Sequence, residues 1–214
     1  KNITVNNSAT LTINRDSDLT LSGNLVNRGT ITLNSDANEF ASLIVQGSSS
    51  GNITYYRYVN AVGNNEWDLI GSPVDGQSIS GFASTNTSGT ATLATNGSQY
   101  AIGVYDNSQD EWTNYTTGTV GAAGNFDIGK GYAMASVSGG TGLLAFTGTI
   151  ATTDQTQAII DNDAANSGSG RRWDLIANPF PSFINANDDA HASNNFLTVN
   201  TSKLHDTYEA VYGY

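Results

Sequence analysis

The chain contains no cysteine and only two histidines, His191 and His205, among its 214 residues. Disulfide bonds and thiolate metal sites are therefore excluded, and so is a zinc site built from several histidines. Charged residues make up 13% of the sequence, about half of the usual share. Lysine and arginine number 8 against 19 acidic residues, a formal net charge of −11. A chain this acidic repels nucleic acid and anionic membrane surfaces.

Long apolar runs are also missing, since no stretch approaches the roughly 20 residues of a membrane-spanning helix. What the sequence has in abundance is glycine, asparagine, serine and threonine between short groups of valine, isoleucine, leucine and tyrosine. This composition predicts an all-β protein. The chain begins in a strand-like pattern at Lys1 without a visible signal peptide. Its Asn/Thr/Ser-rich, lysine-poor character favours a processed, secreted protein over an intracellular one.

The first 60 residues repeat a short alternating phrase, usually apolar, threonine, apolar. The phrases are Ile3–Val5, Leu11–Ile13, Leu19–Leu21, Ile31–Leu33, Leu43–Val45 and Ile53–Tyr55. Alternation predicts strands with one buried face. Two architectures fit: a β-solenoid in which each phrase is a rung, or a meander of hairpins. The near-identical phrases, and the lack of two-residue hairpin loops, favour the solenoid. Asn6, Asn14 and Asn34 fit solenoid corners and ordinary turns equally well.

The remaining sequence contains an internal duplication. Residues 67–73 (WDLIGSP) match residues 173–179 (WDLIANP) at an offset of 106 positions, and Val104-Tyr105 match Val211-Tyr212 at an offset of 107. The first copy continues through Trp112 and the phrase FDIGKGYAM, whereas the sequence ends at Tyr214, before their counterparts. We therefore expect the chain to continue beyond Tyr214.

Short alternating segments within the first copy predict an antiparallel β-sandwich that resembles a jelly roll. The predicted strands are Trp67–Gly71, Tyr100–Tyr105, Glu111–Tyr115, Gly131–Ser136 and Leu143–Thr149. Residues 78–99 are rich in Ser, Thr, Gly and Ala, and they predict a long exposed loop. The expected organisation is a solenoid-like region over 1–60, a sandwich module over 61–160, and a linker with an incomplete second module over 161–214.

Several phrases resemble the extracellular regions of large Bacteroidota, Flavobacteria-like, cell-surface proteins that the type IX secretion system exports. The resemblance lies in ITVNNSATLTI, WDLIGSPV, WDLIANPFPS, VYDNSQDEW and FDIGKGYAM. It implies an extracellular location and an architecture shared by adhesins, polysaccharide-binding proteins and enzymes with accessory modules. The C-terminal sorting domain typical of those proteins is not among these residues.

The sequence offers little for catalysis. It has no G-x-S-x-G elbow, and Gly129-Lys130-Gly131 lacks the upstream glycine and following helix of a phosphate-binding loop. Paired carboxylates could serve glycoside hydrolysis, but the candidates lie in loop-like stretches: Asp106, Asp110, Glu111, Asp188 and Asp189. We predict a protein that is not an enzyme, and a secreted hydrolase stays as a third hypothesis.

Calcium is the one cofactor that the sequence leaves open, because oxygen atoms are its only plentiful ligands. Asp161 and Asp163 begin like an acidic calcium loop, but Arg172 stands where an EF-hand needs glutamate. Asp106 and Asp110 form a second weak candidate.

Aromatic residues give the remaining functional signal. Trp112, Tyr105 and Tyr115 could form a platform on which sugar rings stack. Trp67 and Trp173 occupy the same position in the two copies and are predicted core anchors. The sequence thus predicts a non-catalytic surface module for structure or adhesion that contacts polysaccharide or another surface protein. The alternative is a carbohydrate-binding accessory module of a larger polysaccharide-degrading enzyme.

Overall fold

A computed structural model describes residues 1–63, 67–88, 92–162, 172–205 and 210–211. The chain divides into two compact units, Lys1–Pro181 and Ser182–Tyr214. Strands account for 36% of the structure and helices for 10%, which confirms the prediction of a mainly β protein at this coarse level. Among the described residues, every helix is too short or too polar to cross a membrane.

The first unit begins with eight short strands that contain all six predicted phrases. Two further strands, β4 and β7, were not predicted. The strands are β1 (Ile3–Val5), β2 (Thr10–Ile13), β3 (Asp18–Leu21), β4 (Leu25–Asn27), β5 (Thr30–Leu33), β6 (Ser42–Val45), β7 (Ser49–Ser50) and β8 (Ile53–Tyr58).

These strands pair in parallel with strands one turn further along the chain. They form the stacks β1-β4-β7, β2-β5-β8 and β3-β6. Ile3 lies opposite Leu25, Thr10 opposite Thr30 and Asp18 opposite Ser42, so the chain returns after 20 to 24 residues. A hairpin meander would instead pair neighbouring strands antiparallel. Consecutive phrases lie in different sheets, and a turn takes three strands rather than one phrase.

Alternation of side chains explains why these segments stack. Val5, Ile13 and Leu21 end their strands with buried side chains, while the threonines before them are exposed. Asparagines connect one turn to the next at a corner. The Asn2 Oδ1 atom accepts the Asn24 N–H at 2.8 Å, and the Asn24 Oδ1 atom accepts the Ser48 N–H at 3.0 Å. Side-chain amides therefore satisfy backbone donors where the strands end.

Six more strands follow, and they include the five predicted in the first copy. They are β9 (Asp68–Ile70), β10 (Thr95–Asn96), β11 (Gln99–Asp106), β12 (Glu111–Thr116), β13 (Tyr132–Met134) and β14 (Leu143–Gly148). One sheet has the order β10-β11-β13-β9, with β12 paired to β11. β14 runs antiparallel to β8 and extends the sheet β8-β5-β2. One continuous hydrophobic core therefore underlies the first unit, from Val5 to Ile150.

A helix, α1 (Ile79–Asn86), occupies part of the segment predicted to be an exposed loop, so that prediction is wrong. The Ser78 side chain caps the helix by accepting the Gly81 N–H at 3.1 Å. Phe82 is fully buried, and its ring centroid lies 4.6 Å from that of Phe146 on β14. Burial of Ile79 and Phe82 outweighs the weak helix propensity of the surrounding Ser, Thr and Gly.

The start of the second copy packs on the first copy within the first unit. The Gly131 N–H donates to the Leu175 carbonyl at 2.9 Å, and the Ala177 N–H donates to the Gly129 carbonyl at 2.8 Å. The Leu43 N–H of β6 donates to the Pro181 carbonyl at 2.7 Å. This segment is thus tied to both the Gly-Lys-Gly phrase and the parallel stacks.

The two repeated tryptophans have different environments. Trp67 packs against the core, as predicted. Trp173 is 49% exposed, so its prediction as a core anchor is wrong. Its segment lies on the outside of the first unit, where no second core surrounds it.

The second unit contains a short helix, α2 (Phe196–Asn200), followed by a 3-10 turn over Thr201–Lys203. Asn195 is buried, and its Oδ1 atom accepts the Thr198 N–H at 2.9 Å, which caps α2. Phe183 and Val199 are 68% and 65% exposed. The predicted second sandwich over 161–214 stays a prediction, since residues 163–171, 206–209 and 212–214 lie outside the described part.

Candidate functional site

The β11–β12 hairpin carries most of the residues predicted for a site. Tyr105 pairs with Trp112 across the strands, and Asp106 pairs with Glu111. The Asp106 Oδ1 atom accepts the N–H of Ser108 at 2.9 Å and its hydroxyl at 2.6 Å. Asp110 has a φ of 58°, a left-handed conformation that aspartate tolerates better than most residues. These local bonds define the turn over 107–110 and fix the register of the aromatic pair.

Tyr105 and Trp112 form an aromatic pair on one face of the hairpin. Their ring centroids lie 5.2 Å apart, with the planes tilted by 46°. Trp112 is 48% exposed, so much of its indole is open to solvent. Glycine at 103 leaves room for the ring, because a Cβ there would lie only 3.4 Å from the indole. The pair thus presents a flat apolar surface beside exposed polar groups.

Tyr115 does not belong to this surface. It lies three positions after Trp112, which in a regular strand places the two side chains on opposite faces. The structure packs Tyr115 against the core. Burial raises the pKa of its hydroxyl, and the nearby Asp127 carboxylate adds to the effect. The predicted platform of three aromatic residues therefore consists of Tyr105 and Trp112, with Tyr115 beneath them in the sheet.

A partly open cleft of about 450 Å³ lies beside the hairpin. Its walls come from the end of β11, the Gly-Lys-Gly phrase, the segment after β14 and the start of the second copy. The lining residues are Val104, Tyr105, Asp106, Asn107, Tyr115, Lys130, Gly131, Gln157, Ala158, Ile160, Asp174, Leu175 and Ile176. Tyr105 borders both the cleft and the aromatic pair, so the two features adjoin.

Asn107 and Asp174 hold one side of the cleft together. The Asn107 amide donates to the Ile160 carbonyl at 2.7 Å and to Asp174 Oδ1 at 3.3 Å. The Ile160 N–H donates to Asp174 Oδ2 at 3.0 Å. Asn162 also donates from its side chain to Asn107 Oδ1. Partial burial raises the pKa of Asp174, although the Ile160 N–H opposes that shift.

Negative charge dominates around the Tyr105 hydroxyl. This hydroxyl donates to Asp110 Oδ1 at 2.7 Å. Burial, followed by the hydrogen bond and charge of Asp110 and by the charges of Asp174 and Asp106, raises the pKa of Tyr105 to about 12. Hydrogen bonds from Ser108 lower the pKa of Asp106, so this carboxylate is held in its charged form. Lys130, the nearby cation, lies 3.7 Å from Asp127.

The predicted calcium ligands are scattered. Asp106 and Asp110 lie at the two ends of one turn, Asp161 is exposed, and Asp163 lies outside the described residues. Within the described ranges, no group of three or more His, Cys, Asp or Glu side chains could hold a metal ion. Calcium therefore has no assigned site here, and it stays an open prediction.

Sequence reasoning missed three polar residues of the cleft: Asn107, Lys130 and Asp174. Lys130 lies in the Gly-Lys-Gly phrase, which the sequence indicated only as a tight turn. Asp174 belongs to the repeated WDLI phrase, and the repeat gave no sign that the two copies contact each other. Asn107 carries no local signal beyond its turn position. Their meeting depends on the docking of the second copy.

Comparison with known proteins gives a family without a function. The sequence profile described as a domain of unknown function, DUF8693, matches residues 1–210. No curated protein and no solved structure matches the chain.

Proposed function

This chain belongs to the DUF8693 family, and from its structure we propose that it is a non-catalytic, secreted cell-surface module for adhesion or spacing that contacts carbohydrate. The observation that carries the proposal is the half-exposed Trp112 paired with Tyr105 on the β11–β12 hairpin. Sugar rings stack on such aromatic faces, while neighbouring polar side chains hydrogen-bond to their hydroxyls.

The spacing role rests on the parallel stacks. Strands β1 to β8 return every 20 to 24 residues and stack in register, an arrangement we interpret as three turns of a β-solenoid. β14 then adds to its last turn, so the following sheets share its core. We interpret those sheets as the sandwich module that the first copy predicts. A shared core favours a stiff element over two domains on a flexible linker.

A non-catalytic role agrees with the carboxylates of the hairpin. Asp106, Asp110 and Glu111 are exposed on a single turn. The pKa of Asp106 is lowered, whereas a general acid in glycoside hydrolysis needs a raised pKa. Solvated charges at a turn suit surface solubility and hydrogen bonding to a ligand better than proton transfer.

The location on an extracellular surface is proposed from the sequence. The lysine-poor, Asn/Thr-rich composition and the resemblance to Bacteroidota surface proteins support it, and that resemblance also suggests export by type IX secretion. Detection of the protein on intact cells by antibody labelling, lost after protease treatment of the cell surface, tests this part of the proposal.

A glycan array probed with the purified chain and with Trp112→Ala tests carbohydrate contact. Trp173→Ala is the matched control, since the two indoles are 48% and 49% exposed. We expect Trp112→Ala to lose binding at least about tenfold, because stacking on an exposed aromatic contributes about 1–2 kcal/mol. Trp173→Ala should keep it.

The alternative function, an accessory module of a polysaccharide-degrading enzyme, would use the same surface. It predicts binding to insoluble plant or algal polysaccharide rather than to surface glycans of other cells. No binding to any glycan would contradict carbohydrate contact and leave a spacer or a protein-binding adhesin. Turnover of a polysaccharide by the purified chain would overturn the non-catalytic assignment.

A further inference from the structure

We propose that the surface formed by Tyr105 and Trp112 selects neutral glycans and rejects anionic ones such as uronic acid polymers. The inference rests on the proposed carbohydrate contact and goes further by naming the chemical class of the ligand. It follows from the carboxylates that surround the aromatic pair.

Three carboxylates lie on the turn that carries the pair. Asp110 accepts the Tyr105 hydroxyl at 2.7 Å, and Asp106 lies opposite Glu111, which directly precedes Trp112. All three are exposed, so they face any ligand that approaches the indole. The raised pKa of Tyr105 reports the same field, because Asp110, Asp174 and Asp106 each oppose a further negative charge there.

Positive charge is scarce in this part of the sequence. Residues 99–162 contain six acidic residues and one basic residue, Lys130. Lys130 lies 3.7 Å from the Asp127 carboxylate and 5.9 Å from the ring centroid of Tyr132. Its charge is thus partly neutralised within the protein. Recognition of a uronate or sulfate group generally uses arginine or lysine side chains, which this surface does not supply.

The same carboxylates suit a neutral sugar. Hydroxyl groups donate hydrogen bonds, and ionised carboxylates accept them strongly. Asn114 precedes the end of β12 and lies on the same side as Gly103, where its Oδ1 atom would be 3.0 Å from an added Cβ. An apolar ring face bordered by acceptors matches a neutral pyranose, which has C–H groups on its faces and hydroxyls at its edges.

The expected discrimination is roughly tenfold for each ligand carboxylate. At about 8 Å in water, a pair of like charges changes an equilibrium about two- to threefold, and three carboxylates act together. Added salt should remove most of this difference, because the screening length falls to about 3 Å at 1 M ionic strength.

The test uses matched oligosaccharides in isothermal titration calorimetry. The probes are β-1,4-linked hexamers of mannose and mannuronate, and of glucose and glucuronate, which differ within each pair only in the carboxylate. We expect a neutral hexamer to bind at least about tenfold more tightly than its anionic partner at low salt, and the gap to narrow in 1 M salt.

A charge variant separates electrostatics from shape. Asp110→Asn with Glu111→Gln keeps side-chain size and hydrogen-bond acceptors, and asparagine tolerates the left-handed backbone at position 110. It should reduce the discrimination about fivefold. Asp16→Asn with Asp18→Asn is the matched control, since it changes two exposed acids in the first turn of the parallel stacks and should leave the discrimination unchanged.

The outcomes distinguish the two proposals. Equal or tighter binding of the anionic hexamers overturns the selection of neutral glycans and leaves carbohydrate contact standing. Discrimination that neither salt nor the charge variant alters overturns its electrostatic cause. Binding of none of the hexamers, together with a silent glycan array, overturns carbohydrate contact itself and the selectivity with it.

Discussion

Substituting Gly131 by alanine tests whether the second copy packs on the first. A Cβ at this position would lie 2.4 Å from Leu175 Cγ and 2.9 Å from its Cδ2. Ordinary contacts between carbon atoms need about 3.5–4.0 Å, so Leu175 must move by about 1 Å or more. Two backbone hydrogen bonds, Gly131 to Leu175 and Ala177 to Gly129, flank the contact and resist that movement.

The expected cost is about 2 kcal/mol in the free energy of unfolding. Overpacking of a fitted contact costs about 1–3 kcal/mol, and weakening the two hydrogen bonds costs up to about 1 kcal/mol each. The lower chain entropy of alanine in the unfolded state returns about 0.4–1 kcal/mol. Gly121→Ala is the matched control, because a Cβ there meets nothing within 4 Å. It should be neutral or slightly stabilising.

Urea unfolding followed by circular dichroism measures these differences, and a double-mutant cycle with Leu175→Ala identifies their cause. If Leu175 is the obstacle, the combined variant should be more stable than the sum of the single effects by at least about 1 kcal/mol. Hydrogen exchange of the Ala177 amide should also be faster in Gly131→Ala. Additive effects within about 0.5 kcal/mol, with an unchanged Ala177 amide, would refute this packing.

Two further predictions concern the core and the tyrosines. Asn86→Ala removes donors to the Phe82 and Ala145 carbonyls and the acceptor of the Ala145 N–H, so it should lower the free energy of unfolding by about 2–4 kcal/mol in urea. A loss under about 0.5 kcal/mol would contradict this role. The pKa values of Tyr105 and Tyr132 are raised from 10.0 to about 12. Their stabilisation should be complete below about pH 10 and lost as the pH rises through about 12. Ultraviolet titration should show one fewer late-ionising tyrosine in each phenylalanine variant, and ionisation of both at pH 10 would contradict the shift.

The strands could be predicted from the sequence because their signal is local. An apolar residue at every second position makes one face of a strand apolar, and phrases such as Leu11–Ile13 carry that pattern within three residues. β7 (Ser49–Ser50) has no such pattern, because its pairing with β4 comes from the stacking of the turns. The direction of pairing is likewise a property of the whole chain, since parallel partners lie 20 to 24 residues apart.

Helix α1 shows where composition misleads. Residues 79–86 (ISGFASTN) contain small and polar residues that have modest helix propensity, and only two large apolar side chains. The helix forms because Phe82 enters a cluster with Phe126 and Phe146, which are 44 and 64 positions further along the chain. Asn86 then bonds to β14. Neither partner can be read from the segment itself.

The candidate site was predictable only in part, for the same reason. Tyr105 and Trp112 are separated by a short turn, so a hairpin brings them together. Tyr115 was grouped with them by proximity in sequence, but the alternation of the strand turns it towards the core. The cleft beside them needs Asp174, which is 69 positions from Tyr105. A long-range contact between two copies of a repeat leaves no trace in local sequence.

The two copies of WDLI show that a repeated sequence need not occupy a repeated environment. In the first copy, Asp68–Ile70 pairs with β13 as strand β9. In the second, Ile176 bridges to Lys130, at the start of the same strand, and Asp174 supplies a cleft wall. Because both segments use the backbone that leads into β13, the second copy completes a surface that the first copy alone would leave open. A fragment ending at residue 160 would therefore keep the aromatic pair and lose that wall of the cleft. Comparing its glycan binding with that of the whole chain would separate the contribution of the indole from that of the cleft.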